Sequence, residues 1–288
     1  MTTYAVTGAS GKLGHLAVTS LLGRGVPAAQ IAALARTAEK ADDLASRGVD
    51  VRHADYDDPG TLRVSLAGVD VLLFVSATDI GHRVTQHSAV IDAAKAANVK
   101  RIVYTSTLRA DDTQLVLAAE HVATENLLRA SGLGFTILRN SWYIENYTDR
   151  VSQFLAQGQI VGATNNTPFA GATRADYADA AATALIGDGH SGAVYELGGL
   201  PFTLTDLAAA ITAASGTEVT YRNVTSLEFL AILQDAGLPE DYARLLVALD
   251  EATARGELDT QSGDLQRLLG RPGTLLADAV TASLTIAA

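Results

Sequence analysis

The chain has 288 residues, of which 48% are apolar and 18% charged, which is enough for a sizeable core divided between two lobes. Its formal net charge of −11 excludes the basic surface that nucleic-acid-binding proteins need, so nucleic acid is not an expected partner. The chain has no cysteine, its six histidines show no paired ligand spacing, and no apolar run is long enough to cross a membrane. Disulfides, a metal site and a membrane span are therefore not expected.

The first predicted strand begins within a few residues of Met1 and runs into a glycine-rich turn. This start leaves no room for a signal peptide, so a cytoplasmic location is expected. Residues 3–14 read T-Y-A-V-T-G-A-S-G-K-L-G and lead into a periodic helix. In a dinucleotide-binding turn, Gly8 would allow the sharp turn, Gly11 the approach of a pyrophosphate, and Gly14 the packing of the helix on the strand.

The amides at the start of that helix would face an anion. Flexible structural turns also collect glycine, but the strand before this turn and the helix after it favour a cofactor site. The cofactor-binding residues predicted in the turn are Gly8, Ala9, Ser10, Gly11, Lys12, Leu13 and Gly14.

A second strand, predicted at 31–35, ends in Arg36, about where a ribose-reading residue belongs. A guanidinium there suits the 2′-phosphate of NADPH, with Thr37, Lys12 and Lys40 as further donors, so NADPH is expected to bind better than NADH. The alternative is a solvated surface arginine. After a third strand at 49–53, Asp55 would accept from the adenine amino group or serve as a turn residue in D-Y-D-D-P, and both interpretations stay open.

Strands and helices then alternate: a helix to residue 67, an apolar strand at 69–76, a helix at 81–98, and strands at 101–106 and 134–139 around a helix at 115–131. This order predicts an α/β fold, a doubly wound (Rossmann) parallel sheet with a smaller mixed C-terminal lobe. Residues 1–140 would form the NADP-binding domain, to which 172–200 return through a strand at 194–197. Residues 141–171 and 201–288 would form the substrate-binding lobe. Loops 8–13, 76–79, 106–109 and 140–147 would meet at the ligand-binding edge.

The usual acid/base pair of short-chain dehydrogenases is a tyrosine followed four residues later by a lysine, which lowers the phenol pKa. None of the nine tyrosines has this spacing, and the last lysine is Lys100. The helix at 115–131 instead carries His121 and Glu125 one turn apart. His121 is either a packed, hydrogen-bonded histidine or a proton donor, whereas His87 is assigned to the core.

The missing pair restricts the reaction, because ketone reduction needs a positioned acid. A quinone accepts hydride and spreads the resulting charge over its ring, so it needs positioning more than protonation. Site aromatics are available at Trp142, Tyr143 and Tyr147, which combine flat apolar faces with polar tips. The alternative is that these aromatics are core between the lobes.

Seven segments together resemble the NmrA-like atypical short-chain reductases, over nearly the full length of the chain. Among these, the chain most resembles the bacterial NADPH:quinone oxidoreductases and next the triphenylmethane reductases. The segments are T-G-A-S-G-K-L-G at 7–14, Arg36, A-D-Y at 54–56, Q-H at 86–87, Y-T-S at 104–106, L-R-N-S-W-Y-I-E-N-Y at 138–147 and A-T-R-A-D-Y-A at 172–178.

The resemblance implies NADPH binding by the glycine turn, Arg36, and the loops after the fourth and sixth strands. Beyond the glycine turn, the predicted cofactor-binding residues are Arg36, Asp55, Ser76, Ala77, Thr78, Asn140, Trp142, Tyr143, Glu145 and Arg174. The candidate catalytic residues are Asn140, Tyr143, Tyr147 and His121. Arg174 has a second interpretation as an inter-lobe contact, and Asp176 is expected to cap the helix that it begins.

The expected function is therefore an NADPH-dependent reductase that passes hydride directly to a quinone or similar conjugated aromatic acceptor, without metal or flavin. One alternative is a redox-sensing regulator that binds NADP(H) without turnover. Another is a reductase of a specialised polycyclic quinone or an aromatic dye. A monomer or homodimer is expected.

Overall fold

The computed structural model describes residues 1–287, which form nine strands and thirteen α-helices. The strands are β1 (Tyr4–Thr7), β2 (Ile31–Ala35), β3 (Asp50–His53), β4 (Val71–Phe74), β5 (Arg101–Thr107), β6 (Gly134–Asn140), β7 (Gln159–Gly162), β8 (Val194–Leu197) and β9 (Thr220–Asn223). The helices are α1 (Lys12–Gly23), α2 (Asp42–Ser46), α3 (Pro59–Ser65), α4 (Arg83–Ala96), α5 (Ala118–Ala130), α6 (Glu145–Thr148), α7 (Val151–Gln157), α8 (Arg174–Ile186), α9 (Leu204–Ser215), α10 (Ser226–Asp235), α11 (Glu240–Ala254), α12 (Asp264–Leu269) and α13 (Leu276–Ala287).

Seven strands form one fully parallel sheet in the order β3-β2-β1-β4-β5-β6-β8. The strand order reverses between β1 and β4, so the crevice at the carboxyl ends of these two strands is the expected ligand site of a doubly wound sheet. The predicted fold class is confirmed. The strand expected at 194–197 joins the sheet as β8, beside β6.

Apolar side chains cover both faces of the sheet, because neighbouring residues of a strand point to opposite sides. Val6 and Leu73 belong to a core with α1 and α8, where Leu21 and Ala181 are buried. On the other face, Leu72 and Phe74 lie in a second core, which α3, α4 and α5 cover. Both faces are thus closed, and the polar groups at the strand ends are left to form a site.

A third core underlies the smaller lobe and reaches back to the main sheet. It includes Phe154, Phe169 and Phe202, with Trp142 and Tyr147 packed against it. The strands β7 and β9 form a separate parallel pair in this region. Within residues 1–287, no helix has the length and apolarity to cross a membrane. The aromatic segment after β6 therefore lies where the smaller lobe meets the sheet.

Candidate active site

The glycine turn between β1 and α1 is built as the three glycines predict. Gly8 has φ of +61°, in the region that L side chains rarely adopt, and its carbonyl oxygen accepts from the amide of Gly11 at 2.8 Å. A Cβ on Gly14 would lie only 2.3 Å from that carbonyl oxygen, so the helix packs against the turn only because Gly14 has no side chain. A Cβ on Gly11 would lie 3.2 Å from the same carbonyl oxygen. Ala9 is buried, and its amide donates to the Leu34 carbonyl.

An open cleft of about 400 Å³ lies at the start of α1. Gly11 is the N-cap of this helix, and no side chain of residues 1–287 caps it. The first amides of the helix are therefore available to an anion. The cleft is lined by Ser10, Gly11, Lys12, His15, Leu16, Glu145, Asp149 and Arg174, and so brings together five of the predicted cofactor residues.

Arg36 and Asp55 lie outside that cleft, after β2 and β3 respectively. Arg36 is exposed and makes no hydrogen bond or ion pair within the part of the chain that the structure describes. Asp55 accepts the amide hydrogen of Asp57 through Oδ1 at 3.1 Å, as turn residues do. Its amide in turn donates to the Thr61 hydroxyl at 3.0 Å. The turn role of Asp55 is thus visible, and its role at an adenine stays a prediction.

The loop after β4 is held by side chains of its neighbours. The amide of Ser76 donates to the Thr105 hydroxyl at 2.9 Å. Ala77 is held on both sides by α4, since its amide donates to His87 Nε2 at 2.9 Å and its carbonyl oxygen accepts from Arg83 Nε at 2.8 Å. Thr78 follows as an exposed residue. The loop therefore has a fixed position at the crevice between β1 and β4.

Both buried histidines beside this loop are neutral. His87 accepts from the Ala77 amide through Nε2, so its Nδ1 carries the proton and donates to the Thr124 hydroxyl at 2.8 Å. His121 lies 2.7 Å from the Tyr104 hydroxyl through Nδ1. Burial lowers the pKa of each to about 3. His121 is therefore not an imidazolium near neutral pH, and its catalytic role stays a prediction.

These histidines should make the fold sensitive to mild acid. The pKa of each histidine is lower in the folded state, so below about pH 6.5 the unfolded chain binds protons that the folded chain does not. The free energy of unfolding therefore decreases as the pH is lowered. Buried Asp250, whose pKa is raised to about 6, acts in the opposite direction. His87→Gln keeps an acceptor for Ala77 without titrating. It should therefore lose about 2 kcal/mol less stability than the parent between pH 7 and pH 5.

Urea denaturation at the two pH values measures this difference. His53→Gln, which changes an exposed histidine at the end of β3, is the control and should keep the pH dependence of the parent because it removes no buried group. Equal pH dependence of the parent and His87→Gln would refute the assignment of a neutral, buried His87.

The segment after β6 presents the candidate catalytic side chains. Asn140, the last residue of the strand, is buried, and its Oδ1 has no hydrogen-bond partner within residues 1–287. Burial raises the pKa of the Tyr143 hydroxyl, and a hydrogen bond with the Asn140 side chain reduces this rise. The Tyr143 ring packs edge-on against the Tyr177 ring, with the ring centres 5.4 Å apart, and the ring centres of Tyr147 and Phe169 are 5.8 Å apart. These aromatic side chains therefore pack as core residues, and their role in binding the acceptor stays a prediction.

Glu145 of α6 and Arg174 of α8 meet in the lining of the cleft. Glu145 is the first residue of α6, and its Oε1 accepts from the Arg174 amide at 2.8 Å. Its Oε2 is buried without a partner among residues 1–287, and burial raises the pKa of the carboxyl. The Arg174 guanidinium lies 5.3 Å from the centre of the Tyr143 ring. This part of the cleft therefore offers both a cation and a free carboxylate oxygen.

A buried ion pair fixes the strand ends beneath the aromatic segment. Arg139 donates from Nε to Glu125 Oε1 at 2.9 Å and from Nη2 to Oε2 at 2.7 Å, with both side chains almost fully buried. The Ser106 hydroxyl donates to the same Glu125 at 2.7 Å. Arg139 Nη1 also contacts Asp111 and Glu196. Glu125 therefore anchors β5 and β6 and does not pair with His121.

The family model for NAD(P)H-binding proteins matches residues 8–187. The chain belongs to this NAD(P)H-binding family. It is 47% identical over 278 residues to quinone oxidoreductase 2 of Escherichia coli, covering 96% of this chain and 97% of that protein. It is 32% identical over 292 residues to an NmrA-like family domain-containing oxidoreductase of Aspergillus flavus, covering 96% and 93%.

Two solved structures extend this membership to the fold. The Escherichia coli NADPH-dependent quinone oxidoreductase complexed with NADPH superposes with a TM-score of 0.94 at 46% identity, covering 98% of this chain and all of that one. The Citrobacter sp. triphenylmethane reductase complexed with NADP(H) gives 0.92 at 37%, covering 98% and 100%. The resemblance to NmrA-like reductases inferred from the sequence is confirmed.

One expectation near the site of this NAD(P)H-binding protein was wrong. Asp176 does not cap α8, because the Thr173 hydroxyl accepts the Asp176 amide and is the cap. The Asp176 carboxylate instead accepts the Thr274 amide at 2.7 Å and lies 2.9 Å from Arg271 Nη2. A T-x-x-D pattern at 173–176 carried this signal, since threonine is also a preferred cap.

Several contacts between distant residues could not be inferred from the sequence. Local sequence patterns do not predict the hydrogen bonds of His87 and Arg83 to the backbone of Ala77. Nor do they predict the pairing of Lys12 with Asp149, which are 137 positions apart. Within the described residues, no group of three or more His, Asp or Glu side chains is placed to hold a metal ion.

Proposed function

We propose that this protein is an NADPH-dependent quinone reductase in which hydride passes directly to a quinone or similar conjugated acceptor, without a dedicated protein acid. Membership of the NAD(P)H-binding family and the likeness to a quinone oxidoreductase support the cofactor and the acceptor class. The direct transfer rests on the side chains of the site.

The residues present fit a dinucleotide. The uncapped start of α1 and the glycine turn offer amides to a pyrophosphate, and exposed Arg36 offers a cation to a 2′-phosphate. Two buried oxygens without partners in residues 1–287, Asn140 Oδ1 and Glu145 Oε2, offer acceptors to ribose hydroxyls or a carboxamide amine. When bound, NADPH supplies the hydride.

One observation carries the proposal of direct transfer: the two tyrosines and the histidine among the candidate catalytic residues have pKa values displaced from neutrality. Burial raises the pKa of Tyr143 and, far more, that of Tyr147. Burial lowers the pKa of the His121 imidazole to about 3. An efficient general acid has a pKa near the working pH, and none of these groups does.

The reaction balances with solvent as the proton source. Addition of hydride to the quinone gives the hydroquinone monoanion, and one proton then gives the neutral hydroquinone. Because the negative charge of the monoanion is delocalised over the ring, its oxygen can take this proton from water. The alkoxide from a simple ketone is far more basic and needs a positioned donor. Asn140 and the flat faces of Trp142 and Tyr143 would orient the acceptor in this scheme.

Loss of NADPH absorbance with and without a quinone tests the activity. Turnover that depends on the quinone supports a reductase, whereas saturable NADPH binding without turnover on any benzoquinone or naphthoquinone favours the redox-sensing regulator. An acceptor range limited to polycyclic quinones or aromatic dyes would favour the specialised reductase.

Arg36 should set the preference for NADPH over NADH. A charge-assisted hydrogen bond contributes roughly 1.5 to 3 kcal/mol, so Arg36→Ala should weaken NADPH binding about 10- to 100-fold and leave NADH almost unchanged. Isothermal titration of both cofactors on both proteins measures this effect. Arg63→Ala on α3 removes another cation and serves as the control. Equal losses for NADPH and NADH after Arg36→Ala would contradict the assignment.

A further inference from the structure

Two cations of the cleft converge on one carboxylate oxygen. Asp149 follows α6, and its Oδ2 lies 2.6 Å from Lys12 Nζ and 3.2 Å from Arg174 Nη1. Lys12 comes from the first position of α1, and Arg174 from the first position of α8. A single carboxylate oxygen thus links the first residue of α1 to the first residue of α8.

This oxygen lies beside the place where a phosphate is expected. Lys12, Asp149 and Arg174 line the same cleft as Ser10 and Gly11. The pyrophosphate of a dinucleotide binds at the amides that follow such a turn, and its oxygens attract the same cations that a carboxylate attracts. A carboxylate and a phosphate cannot both take the full charge of Lys12 and Arg174.

We propose that Asp149 is a built-in competitor of the cofactor phosphates, which weakens NADP(H) binding and speeds its release. The inference deepens the proposed function, because it concerns the affinity of the same dinucleotide site. Asp149 gives up Lys12 and Arg174 when a phosphate binds, and takes them back when the phosphate leaves.

The surroundings of Arg174 separate this role from simple positioning. The guanidinium also donates from Nη2 to Asn146 Oδ1 at 3.2 Å and lies over the Tyr143 ring. Its side chain is only 14% exposed, so it remains held without Asp149. Lys12, at 68% exposure, is free to swing to a phosphate. Removal of the Asp149 charge should therefore release both cations without misplacing Arg174.

Asp149→Asn should tighten NADP⁺ and NADPH binding by roughly three- to tenfold, the range of one partly exposed ion pair with two partners. The rate of NADP⁺ release should fall by a similar factor. Isothermal titration gives the affinities, and stopped-flow fluorescence gives the release rate. In a Lys12→Met background, the gain from Asp149→Asn should shrink, since one of the two released cations is missing.

Asp179→Asn is the matched control. It removes the same charge from α8, where Asp179 contacts Ser20 of α1 and Arg271 outside the cleft, and should change affinity by less than twofold. Weaker or unchanged binding by Asp149→Asn would overturn the proposal, as would an equal gain in Asp179→Asn. A parent that fails to bind NADPH would refute the proposed function instead. In that case, inorganic pyrophosphate as the titrant still decides the competition, because it also needs the freed cations.

Discussion

Gly11→Val should abolish measurable NADPH binding, a loss of more than about 100-fold, while the protein stays folded. A Cβ at this position would meet the Gly8 carbonyl oxygen at 3.2 Å, a contact that a shift of a few tenths of an ångström relieves. The two methyl groups beyond it would occupy the cleft that Gly11 lines, against the amides of α1. The substitution therefore removes space for the pyrophosphate and little else.

Gly14→Ala gives the opposite pattern and is the matched comparison. Its Cβ would lie 2.3 Å from the Gly8 carbonyl oxygen and 2.7 Å from the Gly8 carbonyl carbon, both backbone atoms that cannot yield without moving the turn. We expect a large fall in melting temperature from this single methyl group. Circular dichroism, thermal melts and NADPH titration on both variants separate the effects. Normal NADPH binding by folded Gly11→Val would show that the loop is only a structural turn.

Arg139→Met should destabilise the protein by about 3 to 5 kcal/mol, because it leaves the Glu125 carboxylate buried without its bidentate partner. Glu125 is 3% exposed and receives two hydrogen bonds from Arg139. Asp111 and Glu196 would lose the same partner. The side-chain link from α5 to the carboxyl end of β6 would then be lost, and Asn140 follows Arg139 directly. We therefore expect weakened NADPH binding together with the lost stability.

Arg129→Met tests the same glutamate from its exposed side. Arg129 lies 3.6 Å from Glu125 Oε2 and is 42% exposed, so its loss should cost less than about 1 kcal/mol. Urea denaturation of the parent and both variants gives the comparison. Equal, small effects of the two substitutions would contradict the view that the Arg139–Glu125 pair anchors the site.

The parallel sheet and the alternation of its strands with helices could be predicted from local patterns. Strands such as β4 are continuous apolar runs, as strands buried on both faces must be, and helices separate them. The ends of the strands were predicted less accurately. The strand expected at 69–76 spans only Val71–Phe74, because the amides of Val69 and Val75 bond to a helix end and to the Thr7 hydroxyl. Capping and side-chain acceptors of this kind depend on three-dimensional neighbours.

The candidate site was predictable where a backbone shape demands a residue type. Gly8 and Gly14 are examples: Gly8 has a positive φ, and a Cβ on Gly14 would clash with the Gly8 carbonyl oxygen, so each position requires glycine. The partners of Lys12 were not predictable, because Asp149 becomes its neighbour only through the packing of α6 beside the glycine turn. His87 was expected in the core, but its bond to the Ala77 amide depends on where the chain runs after β4.

Steady-state rates with a benzoquinone and a simple ketone decide whether hydride reaches the acceptor without a protein acid. The parent should reduce the quinone and turn over the ketone far more slowly. Tyr143→Phe, Tyr147→Phe and His121→Ala should each lower kcat for the quinone by less than the roughly 100-fold at which general acid–base effects begin. Collapse of quinone turnover in one of these variants would reveal a protein acid, and efficient ketone turnover by the parent would contradict direct hydride transfer to a quinone without one.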